Sequence, residues 1–590
     1  MIKGGEFLIT DQESEDIFIP EEFTEEQKMM ATATTEFVEK ELIPKREKFE
    51  KKDYKLTESC MKKAGKLGLL GISVPLEYGG MGMPFNTSVL ICDKISGANG
   101  SFSTAFGAHT GIGTLPILLY GNESQKEKYL PKLATGEWMG CYCLTEPEAG
   151  SDANSGKTRA VKTKDGKYYL ITGQKMWISN AGFADIFIVF ARIEDDKNIT
   201  SFILEKGMEG MTLGEEEHKL GLNSSSTRQV FLNEVKVPIE NILGGRGNGF
   251  KIAMNALNVG RIKLSAAILD SCRRIIDLSI SYSNERIQFG SPIAKFGAIK
   301  HKLAEMATRT YAIESTTYRA GHEIERNIRK LEKEGVQHQE AHLKGVEEYA
   351  VECSIVKVLG SETIQFCSDE GIQIYGGMGY SAETPMEAAY RDARIARIYE
   401  GTNEINRMLL IGMILKKAMK GQLDIMTPAM KIASELMSIP SFETSNKNQL
   451  FDIEKEHLKK LKKAILMTAG KAAQHFGMEI EKEQEVLMSL ADMVIDVYAS
   501  ESAILRAEKL SLQNKEKSQH QIMMSKLFLY TAIKNTQRFG EEVILSFAEG
   551  DEKRILLMGL KRFTKGYTVN PKQLRRDIAE KIIKENRYCF

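Results

Sequence analysis

The chain has 590 residues and a mass of 66.1 kDa, more than one hydrophobic core can serve, so several domains are expected. Lys plus Arg and Asp plus Glu are 80 each, and a formal net charge of zero argues against a nucleic-acid binder held by bulk electrostatics. The eight cysteines form no CxxC pair and the nine histidines no HExxH, which argues against a disulfide scaffold and against a metal site.

The N-terminus carries Asp11, Glu13, Glu15, Asp16, Glu21 and Glu22 where an export or transit signal would be basic or apolar, and no run of 18 apolar residues occurs. With the scattered thiols, this reads as a cytoplasmic chain. From Glu25 to about Leu133 the apolar residues keep helical spacing (Phe37, Val38 and Leu42; Met61, Ala64 and Leu67; Leu90 to Ile95), broken by a loop at Gly79 to Gly82. The stretch Phe102 to Gly113 is rich in small residues, which serve either tight helix packing or room for a ligand. Around Met139 the texture changes. Tyr168–Ile171, Met176–Ile178, Ile186–Phe190 and Val230–Leu232 read as strands of a β domain of about 110 residues, separated by Gly, Asn and Asp turns.

The helical period returns at Gly249 and persists to about Lys420, with the charge-dense Asn327 to Lys344 as a solvated helix end or connection. Beyond Pro428, Pro440 and a polar linker, Ser441 to Lys447, a further helical region runs to the end. The expected class is mainly α with an inserted β domain. The expected divisions are residues 1–138, helical; 139–248, β; 249–425, a helical bundle; and 426–590, an additional helical domain.

The last region echoes the bundle. Leu303-Ala-Glu-Met306, Tyr311-Ala312, Glu314-Ser315 and Arg319-Ala320 reappear as Leu490-Ala-Asp-Met493, Tyr498-Ala499, Glu501-Ser502 and Arg506-Ala507, each shifted by 187 positions. Tyr, Ser and Arg recurring in register point to a duplicated helix.

Three stretches carry chemistry. In Arg394 to Arg407, two apolar-faced helical patterns flank a break that contains Glu400; Gly401 frees the backbone to turn and Thr402 is placed to cap the second helix. Read alone, such a Glu is most often an acidic residue favoured by the helix macrodipole. A carboxylate held at a bend between packed helices can also be a base, with burial raising its pKa. Tyr142 to Asp152 reads as a strand ending in a polar turn, where the Thr145 and Ser151 hydroxyls and N–H groups around Gly150 form a cradle for a phosphate or a polar ring edge. Lys175 to Asn180 sets Trp177 beside Ser179, which suits a flat heteroaromatic ring, although a core Trp is the commoner use.

Together with Asn284-Glu-Arg-Ile-Gln-Phe-Gly290 and Gln373-Ile-Tyr-Gly-Gly-Met-Gly379, the motifs Thr145–Asp152, Gln174–Ser179 and Ile398–Thr402 resemble, in order and spacing, those of the acyl-CoA dehydrogenases over about residues 25 to 420. The extra helical third resembles the very-long-chain branch. The resemblance implies an N-terminal helical domain, a middle β domain and a helical bundle, with FAD between the last two. It assigns the flavin ring to Tyr142, Leu144 and Thr145, with Trp177 beside it and Ser179 near N5, and it brings Ser151 with Gly150 to the pyrophosphate. Arg286, Gln288, Phe289, Gln373, Gly376 and Gly377 match positions that hold the adenine half across a subunit boundary, and Thr402 and Glu404 lie near the cofactor. Glu400 becomes the catalytic base, with Ser151, Arg261 and Gly401 as substrate-binding residues. Some family members carry the base beside the position of Arg261; Gly260 stands there in this chain, which favours Glu400.

The implied reaction is α,β-dehydrogenation of a long-chain acyl-CoA to a trans-2-enoyl-CoA, with electrons passed to an electron-transfer flavoprotein, by a homodimer. Two other readings stay open, an acyl-CoA oxidase and a non-catalytic scaffold flavoprotein of the same fold. Met426, Met430, Ile432, Ala433, Leu436 and Met437 near Lys416, Lys417, Lys420 and Lys431 also resemble an amphipathic segment able to touch a membrane surface, with core packing the commoner use of such a stripe.

Overall fold

The computed structural model describes residues 2–436 and 450–590. The linker Ser441 to Lys447, Met437, and the side chains of Ala433 and Leu436 lie outside the described residues. The first region is built from helices that include Glu25–Phe37, Tyr54–Lys66, Phe85–Ser96, Gly100–Gly107 and Glu123–Thr135. Their starts follow local chemistry: Thr24 with Gln27, and Asn122 with Gln125, form capping boxes, while Asp53 and Asn99 accept from the Leu56 and Phe102 N–H groups. The small-residue stretch serves both of its readings. A Cβ on Gly113 would stand 2.8 Å from the Gly140 carbonyl carbon, so that glycine permits helix and sheet to touch, whereas a Cβ on Gly107 would meet nothing within 4 Å.

The inserted sheet has eight strands, in the order Met211–Glu216, Thr227–Pro238, Tyr168–Ser179, Arg159–Lys162, Ile186–Ile193, Thr200–Glu205 and Ile242–Leu243, with Gly140–Cys143 parallel to Ile186–Ile193. Tyr168–Ile171 and Met176–Ile178, expected as separate strands, are one strand of 12 residues. Its register against Thr227–Pro238 slips between Ile171 and Gly173 and again between Lys175 and Ile178. The second irregularity puts Trp177 at φ 56° and turns its indole outward, 60% exposed. A bulge re-aims one side chain without breaking the strand.

Helices Gly249–Ala266, Leu269–Glu285, Gly297–Lys333, Ala350–Tyr375 and Asn403–Met419 form the bundle. Asp452–Phe476, Gln484–Gln513, Gln519–Leu545, Gly550–Thr564 and Pro571–Glu585 follow. This last region shares one core with Leu410, Ile411 and Ile414 of the bundle and with Phe7 and Leu8 from the start of the chain. The acidic N-terminus has a structural use there. Glu21, Glu22, Glu13 and Asp11 pair with Arg506, Lys509, Lys455 and Lys459. In helix Met426–Leu436, Met426 and Met430 are each 63% exposed while Ile432 is buried in the C-terminal core, so part of the amphipathic stripe is spent on packing.

The echoed helices pack on each other, and the repeated residues meet reciprocally. Arg319 Nη2 donates to Glu501 Oε2 at 2.9 Å and Nη1 to Ser502 Oγ at 3.0 Å, with the guanidinium 4.5 Å over the Tyr498 ring. Arg506 Nη1 donates to Glu314 Oε2 at 2.7 Å and Ser315 Oγ at 3.3 Å, with its guanidinium 4.5 Å over the Tyr311 ring. Each contact maps onto the other by the same shift in numbering, the pattern of a two-fold isologous interface made inside one chain. The symmetry breaks at one place. Arg319 Nε donates to Glu323, whose counterpart is Leu510, and Arg506 Nε takes Glu21 of the N-terminal segment instead, at 3.1 Å.

Candidate active site

Glu400 sits between the 3-10 turn Arg394–Arg397 and helix Asn403–Met419, in left-handed backbone at φ 59°, followed by Gly401 at φ 80°. Thr402 caps the helix, its Oγ1 accepting from the Ile405 N–H at 3.2 Å. Three side chains from three helices hold the carbonyls of the bend. Asn406 Nδ2 donates to the carbonyls of Glu400 (3.3 Å), Gly401 (2.8 Å) and Thr402 (3.0 Å). Arg261 Nε donates to the Glu400 carbonyl at 3.2 Å, and Lys357 Nζ to the Gly401 carbonyl at 2.7 Å and to Asn403 Oδ1 at 2.8 Å. With its carbonyls turned to this polar cluster, the bend leaves the Glu400 N–H without a partner among the described residues. A non-glycine residue held at positive φ stores strain that the surrounding contacts must sustain, a recurrent feature of functional loops.

The Glu400 carboxyl lies against Gly260. A Cβ at that position would stand 2.8 Å from Glu400 Cδ and closer still to Oε2, so the absent side chain is the space the carboxyl occupies. Oε2 is buried and has no hydrogen-bond partner among the described residues. Burial raises the carboxyl to about 7, against the opposing charges of Arg261 and Lys357. Burial lowers Lys357 to about 7, with the Glu400 charge acting the other way. A carboxylate with one free lone-pair oxygen, tuned close to neutrality, suits a base acting on a carbon acid.

Glu400 borders a cavity of about 540 Å³ whose wall is mostly apolar. Ser103, Thr104, Phe106, Gly107, Ala108, Gly111 and Ile112 line it from the small-residue stretch, with Ser179 from the sheet and Gly260, Lys263 and Leu264 from Gly249–Ala266. Of the residues singled out in the sequence, Glu400 and Ser179 reach this lining. Arg261 does not. It is 4% exposed, its Nη1 bonded to Asn258 Oδ1 at 2.7 Å, and it acts on the backbone of the base loop.

Tyr142 and Leu144 are buried, and the Tyr142 hydroxyl, raised well above its usual range by burial and then by the Glu400 charge, has no partner among the described residues. The Thr145 carbonyl accepts from the Met176 N–H at 2.9 Å, which brings Trp177 next to Thr145. A buried ion pair, Lys175 Nζ to Glu146 Oε1 at 2.6 Å, latches the two stretches together, and Glu146 also accepts from the Lys157 and Thr158 N–H groups. Gly150 and Ser151 lie exposed on the turn, and a Cβ on Gly150 would meet nothing within 4 Å.

A second group lies elsewhere on the surface. Ile287–Gln288 and Ser291–Pro292 form a hairpin whose turn, Phe289 and Gly290, has φ 52° and 76°, and the Phe289 ring is 96% exposed at its tip. Arg286, Gln288, Gln373, Gly376 and Gly377 are exposed as well, and Gly376 and Gly377 have open space where a Cβ would be. Glu404 is exposed on the first turn after Thr402. These features fit a flavin dinucleotide: an exposed indole beside Thr145, orphaned polar atoms on Tyr142 and Glu400, and glycines that admit a ligand backbone at close range.

Comparison with known proteins gives the same answer. The acyl-CoA dehydrogenase N-terminal domain matches residues 24–137, the middle domain 141–235, and two descriptions of the C-terminal domain 247–415 and 460–562. A probable acyl-CoA dehydrogenase of Bacillus subtilis (strain 168) is 43% identical over 587 residues, covering 99% of this chain and 98% of that protein. The mitochondrial very long-chain specific acyl-CoA dehydrogenase of Homo sapiens is 36% identical over 490 residues, 78% of this chain and 71% of its own. A crystal structure of an acyl-CoA dehydrogenase complexed with FAD from Bacillus anthracis, 42% identical, superposes over 100% of both chains with a TM-score of 0.96. The chain belongs to the acyl-CoA dehydrogenase family. It is an FAD-dependent oxidoreductase that carries the additional C-terminal helical domain.

Proposed function

We propose that the protein dehydrogenates long-chain fatty acyl-CoA to trans-2-enoyl-CoA, the first step of fatty acid β-oxidation, and passes the electrons to an electron-transfer flavoprotein. The observation that carries the reading is the Glu400 carboxyl, orphaned at Oε2 and raised to about 7, at the edge of an apolar cavity. Glu400 takes the α-proton. Its own N–H, left free by the carbonyl clamp, donates to the thioester oxygen as negative charge develops there. Asn406, Arg261 and Lys357 hold the bend so that carboxyl and N–H face the same substrate, and the apolar wall excludes water. FAD, when bound, supplies the acceptor for the β-hydrogen and its electron pair.

In the same reading Tyr142, Leu144, Thr145, Trp177 and Ser179 hold the flavin ring, Gly150 and Ser151 the pyrophosphate, and Thr402 and Glu404 flank it. Arg286, Gln288, Phe289, Gln373, Gly376 and Gly377 serve the adenine half in a homodimer, which accounts for an aromatic ring presented at a hairpin tip. The test is anaerobic reduction of the enzyme flavin by a series of saturated acyl-CoAs. Rapid bleaching by long chains, followed by reoxidation with an electron-transfer flavoprotein, is expected. Bleaching followed by stoichiometric peroxide in air and no transfer to that partner would favour an oxidase, and no bleaching by any acyl-CoA would overturn the reading.

A further inference from the structure

Three cations line the cavity that Glu400 borders: Arg46, Lys263 and Arg274. Arg274 is paired with Asp270 at 3.0 Å, and Arg46 is partly exposed. Lys263 is different. It is only 6% exposed, and it forms no hydrogen bond or ion pair through its ammonium with any described residue.

Its stem passes Gly111, where a Cβ would stand 3.8 Å from Lys263 Cδ. The titratable groups that face it are Cys92 from helix Phe85–Ser96 and His342 from helix His338–Glu348. Neither supplies a negative charge at neutral pH. Burial pushes the Cys92 thiol up, and burial holds the His342 imidazole at about 3. Leu264, next to Lys263 in the chain, and Ile112, next to Gly111, add apolar surface to the lining. A buried ammonium without a counter-ion is costly, and burial accordingly pushes Lys263 itself down from its ordinary value; a ligand that brought a negative charge would restore its proton. Lys263 lies three residues after Gly260 on the same helix, so one helix presents both the wall against the base and a cation to the same cavity.

We propose that Lys263 binds a carboxylate at the far end of the acyl chain, so that the cavity accepts ω-carboxyacyl-CoA thioesters, the mono-CoA esters of α,ω-dicarboxylic acids. This rests on the acyl-CoA reading above. A carboxylate is the end group chosen, because an unpaired ammonium among apolar walls gains most from a partner that cancels its charge, which a hydroxyl cannot do.

The FAD-loaded enzyme and Lys263→Met are compared with methyl-ended and ω-carboxy acyl-CoAs of matched length from eight to eighteen carbons. Two readouts are taken: anaerobic flavin reduction, and calorimetric binding of the corresponding trans-2-enoyl-CoAs, which needs no turnover. Lys263→Gln, with flavin absorbance and thermal midpoint, controls for folding. At the lengths where the end group reaches the ammonium, the ratio of ω-carboxy to methyl-ended kcat/KM and the matching ratio of affinities should fall by about 30-fold or more in Lys263→Met. Ratios that stay within threefold of the wild type at every length would overturn the inference. So would equal weakening of both series, which would make Lys263 a contact for the CoA or for the fold. Flavin reduction by methyl-ended chains with unchanged ratios would sink this inference alone; no reduction by any acyl-CoA, with no ω-carboxy preference in binding, would sink both.

Discussion

Two clusters of buried charge differ in one respect, completeness. Around Arg319 and Arg506 every guanidinium nitrogen in the pattern has a partner: Glu501, Ser502, Glu323 and Gln12 on one side, Glu314, Ser315 and Glu21 on the other. Around Glu400 the carbonyls of the bend are held, but the Glu400 N–H and one carboxyl oxygen are left bare and the carboxyl is raised to about 7. The first arrangement is architecture, since a buried network in which each guanidinium nitrogen is satisfied fixes one packing of the helices. The second is chemistry. An unpaired buried carboxylate is expensive, and the fold sustains it with contacts to the loop rather than to the charge itself.

The sharpest way to test the contrast is Glu400→Gln, which keeps the shape and removes the basicity. Flavin reduction by acyl-CoA should fall by roughly a thousandfold with FAD retained. The same variant reports on stability. Burial raises this carboxyl from 4.5 to about 7 in the folded chain, so its contribution is most favourable below about pH 4.5 and is lost as pH rises through about 7. Glu400→Gln should therefore gain thermal midpoint relative to the wild type at pH 8 and not at pH 4; equal shifts at both would place the carboxyl in a solvated setting.

Breaking the complete cluster should do the reverse. Arg506→Met removes the partner of Glu21 and of Glu314 Oε2, leaving Glu314 its bond to Arg273, and should cost about 3 kcal/mol of stability in denaturant melts, with the rate of flavin reduction per folded molecule unchanged at low temperature. A large loss of rate without loss of stability would show that the two clusters are coupled.

Gly260→Ala tests the space on which the base depends. The added methyl overlaps the carboxyl, so kcat should drop by about a hundredfold through misplacement, with FAD content and melting little altered. The smallest effect is expected of Lys357→Met. Removing a cation that lowers the Glu400 pKa should move the rising limb of the kcat/KM pH profile upward, by about one unit or less. A limb that moved down, or stayed, would mean that Lys357 acts on the loop backbone alone.

Much of this was legible in the residues themselves because the governing forces are local. The change of apolar period near Met139 and Gly249 marks the strands and helices, since side-chain spacing is set by the backbone repeat. Thr402 could be read as a cap because its partner is three residues away. The echoed helix was visible as a repeat. That Arg319 and Arg506 use it to meet each other was not, because reciprocity is a property of packing.

What tertiary structure alone decided lies between segments distant in sequence. Lys357, Asn406 and Arg261 converge on the base loop from three helices, and no spacing in the chain predicts which side chains of a packed bundle share a centre. The sequence places Trp177 within a strand, but pairing with Thr227–Pro238 introduces the irregularity that turns it outward. Sequence periodicity determined which elements form and which residues could carry chemistry. Burial decided which of them do: desolvation depends on every atom around a group, and it raised Glu400 toward neutrality and pushed the unpartnered Lys263 down from its ordinary value, while reciprocal partners closed Arg319 and Arg506 into a silent pair.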